Sequence, residues 1–200
     1  MGIFKKRNTS RVSAPVTQNK NGHPFGILDG YVPLGAPQTR LYYTLREAIP
    51  VIDAAILKIV RLAGGFEVLC TEKAAQNAMD DFVKNVPVGG NRQGLSAFVS
   101  SYLEQLLTCG TALGEIVTDT DGVPRALFNA PLENIELKRN ENGFDIDIFT
   151  RNGAGLQKIT RPEMCLLSVL NPEPGALAGN SLLKGLPFVS SVLLRIFQSI

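Results

Sequence analysis

The feature that most constrains this chain is a change of period at Gly110. Before it, apolar residues recur at three- and four-residue steps, the spacing that gathers side chains on one helix face. After it they alternate, the spacing of a half-buried strand. On the helical side, Ile49, Ile52, Ile56, Ile59 and Ala63 would share a face, with Thr44 as N-cap and Glu47 at capping-box spacing. Pro50 either opens that helix in its first turn or kinks it, and Gly64-Gly65 ends it. Phe66 to Leu69 is a short strand candidate. A second helix is predicted over 72–86, with Ala75, Met79, Phe82 and Val86 on one face, and a third over 94–109, stopped by Gly110.

Past Gly110, strands are predicted at 111–118 and 123–128, joined by the hairpin signal Asp121-Gly122. A second hairpin joins 134–139 to 144–149 around Asn140-Glu141-Asn142-Gly143. Two more strands follow, at 156–159 after the turn Asn152-Gly153-Ala154-Gly155, and at 164–170. The Pro/Gly-rich loop 171–180 ends at Ser181, a fair N-cap, and the rest reads as helical to Ile200 with a break near Pro187. N-terminal helices, an antiparallel β meander and a C-terminal helix argue an α+β fold with a segregated sheet. No internal repeat or linker divides the body.

Net charge is only +2, but it is unevenly placed. Residues 1–40 hold Lys5, Lys6, Arg7, Arg11, Lys20 and Arg40 against the single acid Asp29, and have no hydrophobic period. They read as a flexible basic arm, with 41–200 as the folded body. Lys5, Lys6, Arg7 and Arg11 are candidate contacts to nucleic acid or an acidic partner; a solvated tail is the plainer alternative. The body lacks a basic stripe with interleaved aromatics, which excludes a sequence-specific DNA reader. The three cysteines, Cys70, Cys109 and Cys165, are far apart and read as small buried hydrophobes in a reducing compartment. With one histidine, His23, no zinc site is expected. No secretory signal, membrane span or myristoylation pattern is present, which points to synthesis in the cytoplasm.

Catalytic patterns fail one by one. Gly179-Asn180-Ser181 begins like a nucleophile elbow but lacks the final glycine and a following histidine. Gly89-Gly90-Asn91-Arg92-Gln93-Gly94 lacks the Gly-Lys-Ser/Thr of a phosphate loop and reads as a flexible connector. Asp80-Asp81 and the Asp145/Asp147 pair give no reason to assign an acid and a base. The residues support a scaffold with no catalytic residues, cofactor or metal.

Four stretches in order resemble the N-terminal wing portion of tailed-bacteriophage portal proteins, the head-tail connector family. These are Ile49-Pro50-Val51-Ile52-Asp53-Ala54-Ala55-Ile56; Phe98 to Glu115, with Tyr102, Leu106, Gly110 and Gly114; Gly114-Glu115-Ile116-Val117 through Asp121-Gly122-Val123-Pro124 and Leu127 to Pro131-Leu132 and Ile135; and Ile159 to Val169 with Gly179-Asn180-Ser181-Leu182-Leu183. The likeness spans roughly 42–200. It implies a subunit of a dodecameric homo-oligomeric ring at the capsid vertex, in the virion after assembly in the host cytoplasm. Double-stranded DNA would pass through the channel during packaging and ejection. Partners would be the large terminase subunit, the major capsid or scaffold protein and a head-tail adaptor. Family members continue into stem, clip and crown segments that find no counterpart before Ile200, so the chain reads as a wing part only. An adaptor or interaction module derived from a prophage remnant, and a small hydrolase with an unrecognised site, are the alternatives.

Overall fold

The computed structural model describes residues 31–35, 37–140, 145–153 and 155–189. The first described element begins at Tyr31, inside the span read from the sequence as arm. Strand β1 (Tyr31–Pro33) is followed by helix α1 (Pro37–Ala48) and helix α2 (Pro50–Ala63). Helices α3 (Lys73–Asn85) and α4 (Leu95–Cys109) come next, then strands β2 (Thr111–Thr118) and β3 (Pro124–Asn129). Strands β4 (Ile135–Arg139), β5 (Ile146–Asn152), β6 (Gly155–Lys158) and β7 (Cys165–Val169) complete the described elements. The class is α+β, as expected.

Several local expectations need correction. The chain starts its helical region at Pro37, and Thr44 sits mid-helix with its hydroxyl donating to the Arg40 carbonyl at 3.0 Å, so it caps nothing. Pro50 does open its own helix, because a ring lacking an N–H loses nothing in the first turn. Phe66 to Leu69 forms no strand. That segment is tied to α3 by Gln76, which accepts from the Cys70 N–H at 2.6 Å and donates to the Val68 carbonyl at 2.9 Å. The glycine-rich 87–93 stretch is a tight hairpin, not a loose connector: the Val88 N–H donates to the Arg92 carbonyl and the Arg92 N–H to the Gly89 carbonyl. The Pro87 carbonyl also accepts from the Leu127 N–H, covering the edge of β3.

The meander resolves into two antiparallel sheets. One, ordered β1-β4-β5-β6, pairs Val32 with Leu137 and Leu137 with Ile148. The other, ordered β3-β2-β7, has β2 at its centre, with Glu115 opposite both Phe128 and Cys165. Between the two sheets lies a core of Leu113, Leu132, Ile135, Leu137 and Ile148. The opposite face of β2 packs on α4, where Phe98 and Tyr102 lie against Gly114. On another flank of α4, Leu103 and Leu107 meet Ile56 and Val60 of α2. Helix α4 is therefore a central layer, with α2 on one flank and the three-stranded sheet on another. The predicted turn around 141–143, the turn residue Ala154 and the helix expected over 190–200 lie outside the described residues.

Candidate assembly surfaces

Three groups of residues bear on what this fold can do. The first is a polar hub that fixes the helices to each other. The Arg46 guanidinium donates through Nε to Asp53 of α2 at 2.9 Å and through a terminal nitrogen to Thr108 of α4 at 2.9 Å. It also pairs with Glu104 at 3.3 Å. Burial works against its charge, but the bonds to Asp53 and Glu104 outweigh that and hold the group still more firmly protonated. Beside it, burial and the Cys109 thiol contact raise the Tyr43 phenol above its ordinary range. One cation thus binds α1, α2 and α4.

The second group is the junction where α4 turns into β2. Gly110 takes φ +78°, and a Cβ there would lie 2.4 Å from the Asn180 carbonyl carbon. Gly179 fits as closely: a Cβ would fall 2.0 Å from the Gly110 oxygen. The Gly110 carbonyl accepts from the Leu170 N–H at 2.8 Å, and the Gly179 N–H donates to the Thr111 hydroxyl at 3.0 Å. The Ser181 hydroxyl donates to the Thr108 carbonyl and accepts from the Leu183 N–H at 2.9 Å. Ser181 therefore caps the turn that follows it, its hydroxyl donating one bond and accepting another. Gln105 adds a clamp, donating to the Ala130 carbonyl and accepting from the Leu113 N–H.

The third group is exposed. The buried face of α2 is Ile56 and Val60, with Ile52 partly covered, so Ile59 and Ala63 fall outside it, contrary to the sequence expectation. Val51 and Leu62 are 72% and 73% exposed, and Ile59 is exposed beside them. At about 100° per residue, Val51, Ala55, Ile59 and Leu62 form one apolar stripe, with Lys58 and Arg61 along its flank. On the three-stranded sheet, Gly114 points at α4, so Glu115 and Val117 point away from it. The four-stranded sheet covers Leu113 and Leu167 on that face but leaves Val117 and Phe128 exposed. Burial, and then the nearby Glu115 and Glu163 carboxylates, push the Cys165 thiol up. The three cysteines are free and only partly buried, less enclosed than the sequence reading held.

An open groove of about 530 Å³ runs between α1 and the loop before Ser181, lined by Val32, Leu34, Tyr42, Thr111, Leu132 and Lys184 among others. Among the described residues, no cluster of His, Cys, Asp or Glu could hold a metal ion, and no helix is long and apolar enough to cross a membrane. Lys5, Lys6, Arg7 and Arg11, the candidate nucleic-acid contacts, lie outside the described residues. The sequence reading missed Arg46 and Gln105, whose partners are remote in the chain. It also missed the outer stripe of α2, of which it placed Ile59 on the buried side.

No protein-family model matches the chain, and no curated protein matches it. Solved structures do. A chain in the neck of an empty gene transfer agent particle, computed with C6 symmetry, matches with a TM-score of 0.62 and 15% identity over 85% of this chain. A chain in the virion of the native gene transfer agent particle matches with a TM-score of 0.58 and 16% identity over 82%. One in the neck of the native particle, computed with C12 symmetry, matches at 0.57 and 17% over 80%. The chain covers 48%, 47% and 46% of those chains, about half of their length. At such low identity the likeness is one of fold.

Proposed function

We propose that this chain is a structural subunit of the head-tail neck of a phage-like particle, and more specifically the wing portion of a portal ring. The observation that carries the reading is the shared fold: 80–85% of the chain follows chains in particle necks computed with C6 and C12 symmetry. The resemblance of Phe98 to Glu115 and of 179–183 to the portal wing narrows neck component to portal. In this reading the protein works without catalysis. It forms a homo-oligomeric ring at the capsid vertex, passes double-stranded DNA during packaging and ejection, and docks the large terminase subunit, the capsid or scaffold protein and the head-tail adaptor.

The physical design suits that role. The Arg46 hub and the glycine junction make a stiff body, while apolar surface is left on its outside. A rigid subunit with unsatisfied outer faces is what repeated self-assembly uses. The test is deletion of the coding sequence from the element that carries it, followed by electron microscopy of the particles. Empty heads lacking a neck, with DNA packaging restored by the gene in trans, are expected. DNA-filled, tailed particles in its absence would overturn the portal reading and favour an accessory interaction module.

A further inference from the structure

Two uncovered surfaces of this chain differ in chemistry and match each other. On α2, Val51, Ile59 and Leu62 form an exposed apolar stripe, and the neighbouring Lys58 and Arg61 have no acidic partner among the described residues. On the three-stranded sheet, the exposed Val117 and Phe128 flank Glu115, which also has no cationic partner among the described residues. Glu163 lies near the same strand end and pairs with the exposed Arg161, at 3.4 Å. One patch is apolar with a basic rim, and the other is apolar with an acidic centre.

Their placement follows from the layers. Helix α2 packs on α4 through Ile56 and Val60, and its stripe lies outside that contact. The sheet packs on α4 through the face that holds Gly114, and the Glu115 patch is on its other face. The two patches are thus on different sides of the molecule, each turned from α4, the second where the three-stranded sheet is left uncovered by the four-stranded one. Stacking α2 on a second α2 would set Lys58 and Arg61 against their own copies, which like charge opposes. Contact between unlike patches is heterologous, the kind that builds a ring when its rotation closes and a filament when it does not.

We propose that copies of this chain associate head to tail, the α2 stripe of one copy seated on the Val117–Phe128 patch of the next, with Lys58 and Arg61 facing Glu115. The inference rests on the ring reading above and names the surfaces that would build the ring. The outer stripe is then an interface, and its cost in exposed apolar area is met on assembly.

The experiment uses the full chain and three variants: Lys58→Glu/Arg61→Glu, Glu115→Lys, and the three changes combined. All of these side chains are on the surface, so the melting temperature should hold, and circular dichroism checks it. Sedimentation velocity over a concentration series reads self-association. The first two variants should associate about tenfold or more weakly than the unaltered chain, through like-charge contact, and the combined variant should recover. If the unaltered chain associates and the first two variants match it, the surfaces are wrong while the ring reading stands. A combined variant that stays as weak as the others would also overturn the pairing. An unaltered chain that remains monomeric throughout overturns this interface, and the particle deletion experiment then judges the ring reading separately.

Discussion

At the junction of α4 and β2, polar groups from distant parts of the chain find one another: Gly110 with Leu170, Gly179 with Thr111, Ser181 with Thr108 and Leu183. Along the outside of α2, Val51 and Leu62 face water over most of their surface. Both regions are built around α4. The junction has no spare volume, so a single added carbon must displace backbone. The stripe has no lining to disturb, so changes there leave the fold alone and act on whatever covers it. The comparison teaches where stability resides and where association resides, and it can be broken by mutation at each.

The largest effect belongs to Gly179→Ala. The added carbon meets the Gly110 carbonyl and the Leu170 backbone at once, neither of which can rotate away. A loss of about 3 kcal/mol or more is expected, a fall of roughly 10 °C in Tm. Gly65→Ala is the control, because nothing lies within 4 Å of its new Cβ. Its Tm should be unchanged or slightly higher, since the unfolded chain loses freedom at no contact cost. Equal losses at both positions in thermal unfolding would dissolve the distinction between the two regions.

Next comes Arg46→Met, which keeps the bulk of the stem and removes the cation. Asp53 and Glu104 keep their charges beside a buried Thr108 hydroxyl with one partner fewer. Both carboxylates are over a third or about a third exposed, so water offsets part of the loss, and destabilisation on the order of 2 kcal/mol is expected in denaturant unfolding. An unchanged midpoint would show that the three helices are held by their apolar contacts alone. By contrast, Leu62→Ser should shift stability by no more than about 0.5 kcal/mol while weakening self-association. A large loss of stability there would mean that the stripe is packed within the chain.

The sequence made the elements legible wherever local signals agreed. The change of period at Gly110 and the Asp121-Gly122 turn placed α4, β2 and β3 within a residue of their observed bounds, while Pro50 left the start of α2 open between a new helix and a kink. The face of α2 was not legible, because Val51, Ile52, Ile56, Ile59, Val60 and Leu62 spread apolar surface over about half of its circumference. Period alone cannot choose between such stripes; packing on Leu103 and Leu107 does. Strand β1 is three residues long and exists through its pairing with β4, a partner a hundred residues away. The Arg46 hub likewise joins residues 58 and 62 positions apart. The candidate surfaces were visible as residues but not as surfaces, since exposure is a property of the packed body.

The smallest expected effect sits at the β2–β3 turn and tests whether exposed polar geometry stabilises only locally. The Asp119 carboxylate accepts from the Val123 N–H at 2.9 Å and the Asp121 N–H at 3.0 Å, and Arg125 Nε donates to its other oxygen at 2.8 Å. The Val123 backbone bond first, and Arg125 next, hold it below the usual carboxylate range. A carboxyl that binds its proton more weakly folded than unfolded adds stability above its unfolded pKa, and that stability is lost as pH falls through the folded one. Asp119→Asn should therefore lower protection of the Val123 amide near neutral pH. The difference from the unaltered chain should shrink on acidification below the ordinary aspartate range. Amide hydrogen exchange measured across that range reads the turn directly. The carboxylate is partly exposed at the hairpin tip, so Tm should move little even while the amide responds. A difference that stays constant with pH would show that the side chain acts through its shape and not its charge. A response spreading to the amides of Leu113 and Gly114 would show that the hairpin tip and the glycine junction are one cooperative unit.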